Sequence, residues 1–70
     1  MMEHTEVKSD HILSIAHDPI TDTLEIKFKN GYVYQGHVPA EHHRGMLDAD
    51  SAGEYYHANI KNRFDMKRVK

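Results

Sequence analysis

The amino-acid sequence predicts an α+β fold: a three-stranded antiparallel β-meander followed by two α-helices packed on one face of the sheet. Three observations carry this. Thr23-Leu24-Glu25-Ile26-Lys27-Phe28-Lys29 alternates apolar and charged side chains, the period of a half-buried strand. Asn30-Gly31 then separates that run from Tyr32-Val33-Tyr34-Gln35, and such a pair tolerates the positive backbone angles of a tight hairpin. Beyond Val38-Pro39 the period changes, and Ser51-Ala52-Gly53-Glu54 has the form of a helix capping box. Strands first and helices after give one sheet layer against one helix layer.

Each element follows in order. Residues 1–8 are polar, carry no sustained apolar period and read as a flexible N-terminal lead-in. Ile12, Leu13 and Ile15 form a first strand that ends at Asp18-Pro19-Ile20-Thr21-Asp22, where Pro fixes a backbone angle and Asp accepts local hydrogen bonds. The alternating run and the Tyr-rich run are the second and third strands. Val38-Pro39-Ala40-Glu41 opens a helix, because Pro at a helix start gives up no needed donor and Glu suits the first turn. That helix runs to about Ala49 and buries His43, Met46 and Leu47, while Gly45 weakens its middle by about 1 kcal/mol relative to Ala. Ser51 caps a second helix with Ala52, Tyr55 or Tyr56, Asn59 and Ile60 on or beside one face, and Phe64 anchors the chain end. Gly53 inside this helix is expected to permit close approach of helix and sheet.

Composition bounds what such a fold can do. The chain has 70 residues, of which 14 are Leu, Ile, Val or Phe, enough for one small core with little surplus. There is no Cys, which excludes disulfide staples, Cys-based zinc sites and thiol chemistry. No stretch approaches the roughly 18 apolar residues of a membrane span, and Met-Met-Glu-His-Thr-Glu has neither a basic nor an apolar signal region, so a cytoplasmic location without membrane contact is expected. Charge is uneven: residues 1–60 hold four basic and ten acidic side chains, whereas residues 61–70 hold Lys61, Arg63, Lys67, Arg68 and Lys70 against Asp65. The end reads as a basic tail over residues 65–70.

The order of these pieces resembles the KTSC domain family, named for a module at the C-terminus of some lysyl-tRNA synthetases and also found as a stand-alone bacterial protein. The resemblance spans about Ser9 to Phe64. It rests on Thr23-Leu24-Glu25-Ile26-Lys27-Phe28, the Gly31 turn, Tyr32-Val33-Tyr34, Val38-Pro39, and Ala49-Asp50-Ser51-Ala52-Gly53-Glu54-Tyr55-Tyr56 followed by Ile60-Lys61. One spacing departs: the family's second Tyr usually stands three residues before the Val-Pro, whereas Tyr34 stands four before Val38. The resemblance implies a single α+β domain over residues 9–64 without settled biochemical function, for which the synthetase context suggests RNA binding.

Tyr32 and Tyr34 form the first candidate site, since aromatic faces beside lysines hold single-stranded RNA by stacking and phosphate contact. The hairpin register decides. A two-residue Asn30-Gly31 turn puts Lys29 opposite Tyr32 and Lys27 opposite Tyr34, on the charged face. A three-residue Lys29-Asn30-Gly31 loop puts Phe28 opposite Tyr32 and Ile26 opposite Tyr34, with the tyrosines on the core face; this register sorts apolar from charged residues better. The basic residues Lys61, Arg63, Lys67 and Arg68 are candidate phosphate contacts, and a solvated chain end is the plainer expectation for them.

Other chemistries find little support. His11, His17, His37, His42, His43 and His57 invite a metal reading, but no His-x-x-x-His pair exists and His42 and His43 diverge on a helix, so no metal and no cofactor are expected. Ser51 beside Asp50 and His57 lacks a nucleophile elbow and reads as a cap, so no catalytic residues are expected. Asp48 and Asp50 lack a partner that would separate their acidities. Two functions follow: a non-catalytic RNA-binding accessory module using Lys27, Lys29, Tyr32, Tyr34 and the basic end, or a protein-interaction module docking through a sheet edge or Tyr55-Tyr56.

Overall fold

The computed structural model describes residues 2–70. Met1, the first residue of the expected lead-in, lies outside the described residues. Strands β1 (Thr5–Glu6), β2 (Ile12–Asp18), β3 (Thr23–Phe28), β4 (Val33–His37) and β5 (Lys67–Arg68) form one antiparallel sheet in sequence order, and helices α1 (Ala40–Asp48) and α2 (Ala52–Asn59) stand between β4 and β5. The α+β class is as predicted, but the sheet has five strands rather than three. The expected lead-in contributes β1, which pairs Thr5 with Ile15 and Glu6 with Ser14. The expected tail contributes β5, which pairs Arg68 with Tyr34 and Lys67 with Gln35, so the basic end is not a free solvated tail. Both added strands satisfy backbone groups that β2 and β4 would otherwise leave open at the sheet edges.

Two local devices set which side chains face the helices. In β2, Ile12 pairs with Phe28 and Ser14 with Lys27, which leaves Leu13 as the extra residue of a bulge. The bulge lets Ile12 and Ile15, an odd number of residues apart, share the core face. Between β3 and β4, Gly31 adopts φ +95°, its N–H donates to the Phe28 carbonyl at 3.0 Å, and Phe28 N–H donates to the Tyr32 carbonyl at 2.8 Å. This is the three-residue loop, with Ile26 opposite Tyr34.

The core closes over that face. Ile12, Ile15, Leu24 and Ile26 from the sheet meet Val38, Met46, Ala52, Tyr56 and Ile60 from the helical half. Pro39 opens α1 with φ −60° and ψ 151°, and Ser51 caps α2 by accepting a hydrogen bond from Glu54 N–H at 3.3 Å. Leu47, expected in the core, is exposed, whereas Phe64 packs against the core edge-on to His42. The two helices are too short to cover the whole sheet.

Helix packing runs through Gly45 rather than Gly53. A Cβ on Gly45 would overlap the ring and hydroxyl of Tyr55, which is hydrogen-bonded to His42 Nδ1 at 3.1 Å. At Gly53 the nearest group is the Ser9 hydroxyl, a movable side-chain tip, so the expected close approach of helix and sheet there is not what this glycine provides. In an exposed helix interior a Gly to Ala change stabilises by about 1 kcal/mol. Here Gly45→Ala reverses that sign and destabilises by about 1–3 kcal/mol, the cost of overpacking. Urea denaturation checks it, and Gly53→Ala measured alongside loses less.

Candidate functional site

The incomplete helical cover leaves a groove of about 470 Å³ at the seam between the β3–β4 hairpin and α2. Phe28, Tyr32 and Tyr34 enter it from the hairpin, Tyr56 and His57 from α2, and His11, Asn30 and Lys61 stand around it. The three-residue loop register puts Phe28 and Tyr34 on the helix side, and the first turns of α2 bring Tyr56 over them. Phe28 meets Tyr34 edge to face at 5.4 Å between centroids and Tyr56 at 6.1 Å, so the rings form one connected aromatic wall. Burial pushes the Tyr56 hydroxyl above its ordinary value, and the neighbouring Tyr34 adds to the rise, so the Tyr56 phenol stays a neutral group near neutral pH.

Cations flank this wall. The Arg68 guanidinium stands 4.4 Å above the Tyr32 ring, a cation–π contact made possible because Arg68 lies opposite Tyr34 on the same face. Lys61 follows α2 and lines the groove directly. No carboxylate lines it among the described residues, in a chain with 11 Asp and Glu. The depression on the open sheet face, by contrast, includes Glu6 and Glu25, and the one at the start of α2 includes Asp10, Asp50 and Glu54.

The predicted site residues divide accordingly. Tyr32, Tyr34 and Lys61 converge on the groove, with Arg68 behind Tyr32. Lys27 does not join them: it pairs with Val33 and lines the depression on the opposite face of the sheet. Lys67 pairs with Gln35 on that opposite side, Lys29 is exposed in the hairpin loop, and Arg63 is exposed in the turn after α2. Val38, Pro39, Ser51 and Ile60 serve the fold, as core, helix start, cap and core. Tyr55 packs on α1 and Tyr56 is buried, so the Tyr55-Tyr56 pair offers no exposed docking surface. Sequence reasoning missed the part played by His11, Phe28, Tyr56 and His57. The available signal was Tyr56 itself, one helical face that had to meet the hairpin once the register was fixed.

Two ionisable clusters lie elsewhere. On the open face, His4 donates from Nε2 to Glu25, His4 Nδ1 is 2.8 Å from the Ser14 hydroxyl, and Gln35 Nε2 donates to Glu25 at 2.6 Å. Burial raises the Glu25 carboxyl, but the hydrogen bonds from His4 and Gln35 and the charges of His4 and Lys70 outweigh it, leaving it below the usual carboxylate value. Beneath α1, the His17 and His43 rings stack at 5.7 Å. His17 Nε2–H donates to the Val38 carbonyl at 2.8 Å, with Asp22 3.7 Å away, while His43 Nε2 is buried without a partner. Among the described residues no group of three or more His, Asp or Glu side chains is placed to hold a metal ion, and no helix is long and apolar enough to cross a membrane.

The fold and groove define a small one-sheet α+β module with an uncovered aromatic seam. The chain belongs to the KTSC domain family, whose model matches residues 8–64. It is similar to the crystal structure of a KTSC domain protein from Yersinia pestis, with a TM-score of 0.89, 35% identity and the whole of both chains covered. It is also 31% identical over 61 residues to an uncharacterized protein of Stutzerimonas stutzeri (strain A1501), covering 86% of each chain.

The stacked histidines generate a pH prediction. Burial holds the His43 imidazole below its ordinary value, with the His17 ring and the Arg44 charge acting in the same direction. The unfolded chain therefore takes up this proton more readily than the folded one. The contribution is fully present above the unfolded value of about 6.5 and is lost as pH falls below it towards the folded pKa. Melting temperature falls between about pH 7.5 and pH 5.5, and falls less in His43→Leu. The Glu25 contribution, from a lowered carboxyl, is lost only in a more acidic window, below about pH 4.5.

Proposed function

We propose that this chain is a small non-catalytic accessory module that binds single-stranded RNA in the groove formed by Phe28, Tyr32, Tyr34 and Tyr56. The observation that carries this reading is the pairing of an aromatic wall with a cationic, carboxylate-free rim in a chain of net charge −2. Bases stack on aromatic rings whatever their sequence, and the charges of Lys61 in the groove and of Arg68 on the Tyr32 ring favour the attached phosphates. Such binding needs no metal or cofactor, and a cytoplasmic location is part of this proposal. The acidic body keeps the footprint local, because residues 1–60 repel a polyanion elsewhere.

The alternative reading is a protein–protein interaction or scaffold module. The exposed Ile20 on the β2–β3 turn favours it, but the Tyr55-Tyr56 surface expected for it is packed inside, and the sheet edges are strands of two residues each.

An amide NMR titration of the labelled chain with mixed-sequence single-stranded RNA tests the RNA reading. Saturable shifts are expected at Phe28, Tyr32, Tyr34, Tyr56 and Lys61. Two phosphate contacts on a single strand predict a loss of affinity of about sevenfold between about 50 and about 200 mM salt. Tyr32→Ala, a change at an exposed ring, weakens binding by about 1–3 kcal/mol. A spectrum unmoved at the lower salt, or shifts confined to residues 67–70, overturns the reading.

A further inference from the structure

We infer that the unit the groove recognises is one nucleotide, a single base on the aromatic wall with its phosphate at Lys61, rather than a run of stacked bases. The inference rests on the RNA reading and narrows it to a ligand class: a nucleoside monophosphate, whether free or as an unpaired residue of RNA.

Space sets the first limit. About 470 Å³ lies within the range of small-molecule sites, about 300–1,000 Å³, and accommodates one base with its sugar and phosphate. Aromatic surface sets the second. Phe28, Tyr34 and Tyr56 are locked edge to face, which leaves one continuous wall instead of a ladder of parallel plates. Tyr32 has one ring face already covered by Arg68, so it presents a single face to a ligand.

Chemistry of the rim places the phosphate. Asn30 Oδ1 accepts the Tyr32 N–H at 3.0 Å, which occupies the oxygen and leaves the amide NH₂ as a donor. Lys61 supplies an ammonium, His11 and His57 supply ring nitrogens, and no carboxylate opposes an anion there. Donors without a competing carboxylate suit a phosphate monoester, whose oxygens are acceptors. The aromatic wall and the donor rim lie in one groove, so base and phosphate of the same nucleotide reach both.

The test uses the full chain and three small probes: AMP, adenosine and phenyl phosphate, each titrated at low salt and followed by amide NMR. AMP is expected to shift Phe28, Tyr32, Tyr34, Tyr56 and Lys61 saturably and to bind about tenfold more tightly than adenosine, the increment of charge-assisted hydrogen bonds. Lys61→Gln, a change at an exposed side chain, brings AMP to the level of adenosine without altering the melting temperature. Equal binding of AMP and adenosine removes the phosphate seat and overturns the inference. Phenyl phosphate binding as well as AMP removes the base and also overturns it. RNA that shifts the groove when AMP does not means a longer ligand unit: the inference fails while the RNA reading stands. AMP binding without RNA binding leaves the single-nucleotide site standing and refutes the RNA reading.

Discussion

Gly31, at φ +95°, fixes the register of the β3–β4 hairpin, and most of what is distinctive in this molecule depends on that register. A side chain with a Cβ resists this conformation, so the three-residue loop is tied to the glycine. With the loop in place, Ile26 stands opposite Tyr34 and the apolar residues of both strands share one face. A slip of one residue would turn Tyr32 and Tyr34 to the open side, where Glu25 and Lys27 lie, while Phe28 stays with Leu24 and Ile26 on the face that β2 fixes. The core would lose its edge and the aromatic groove would cease to exist. One backbone angle therefore decides both packing and site.

The second constraint is shortage of helix. Helices α1 and α2 have nine and eight residues, and a five-stranded sheet presents more surface than they can cover. Coverage is complete over Ile15, Leu24 and Ile26 and gives out towards Tyr34 and Tyr32. The rings at that margin are held edge to face instead of being overlaid, a packing that stabilises them, and Tyr32 beyond them stays exposed. Gly45 permits this economy of cover: without a Cβ it lets Tyr55 pack down on α1, which seats the two helices closely against each other. The groove is thus a consequence of how two short helices are seated.

Much of the fold was legible in residues whose patterns are self-contained. The Thr23–Phe28 alternation, the Ser51 cap and the Pro39 start each act within a few residues, and each is where the sequence places it. The edge strands were not legible, because strands of two exposed residues have no period of their own and their charges imitate a solvated end. The bulge at Leu13 was hidden for a related reason: Ile12 and Ile15 look out of phase until two residues are set against one. At the site, the sequence singled out Tyr32, Tyr34 and the basic end but grouped Lys27 with them. Lys27 alternates to the opposite face, whereas Tyr56 and His57 arrive from α2, a convergence that only tertiary packing creates.

The placement of β5 separates what the module holds from what it adds. Every residue lining the groove lies within residues 8–64, the stretch matched by the family model. Arg68, Lys67 and Lys70 lie beyond it, yet β5 is bound to β4 through Val69 N–H to the Val33 carbonyl at 2.8 Å and Val33 N–H to the Lys70 carbonyl at 3.1 Å. Alternation along β5 then sends Arg68 to the groove side and Lys67 to the open side. The basic end is therefore not a diffuse cloud of charge but a strand that delivers one guanidinium to one ring. Lys70 lies over the opposite face, which carries Glu6 and Glu25, and its charge helps hold the Glu25 carboxyl below the usual value.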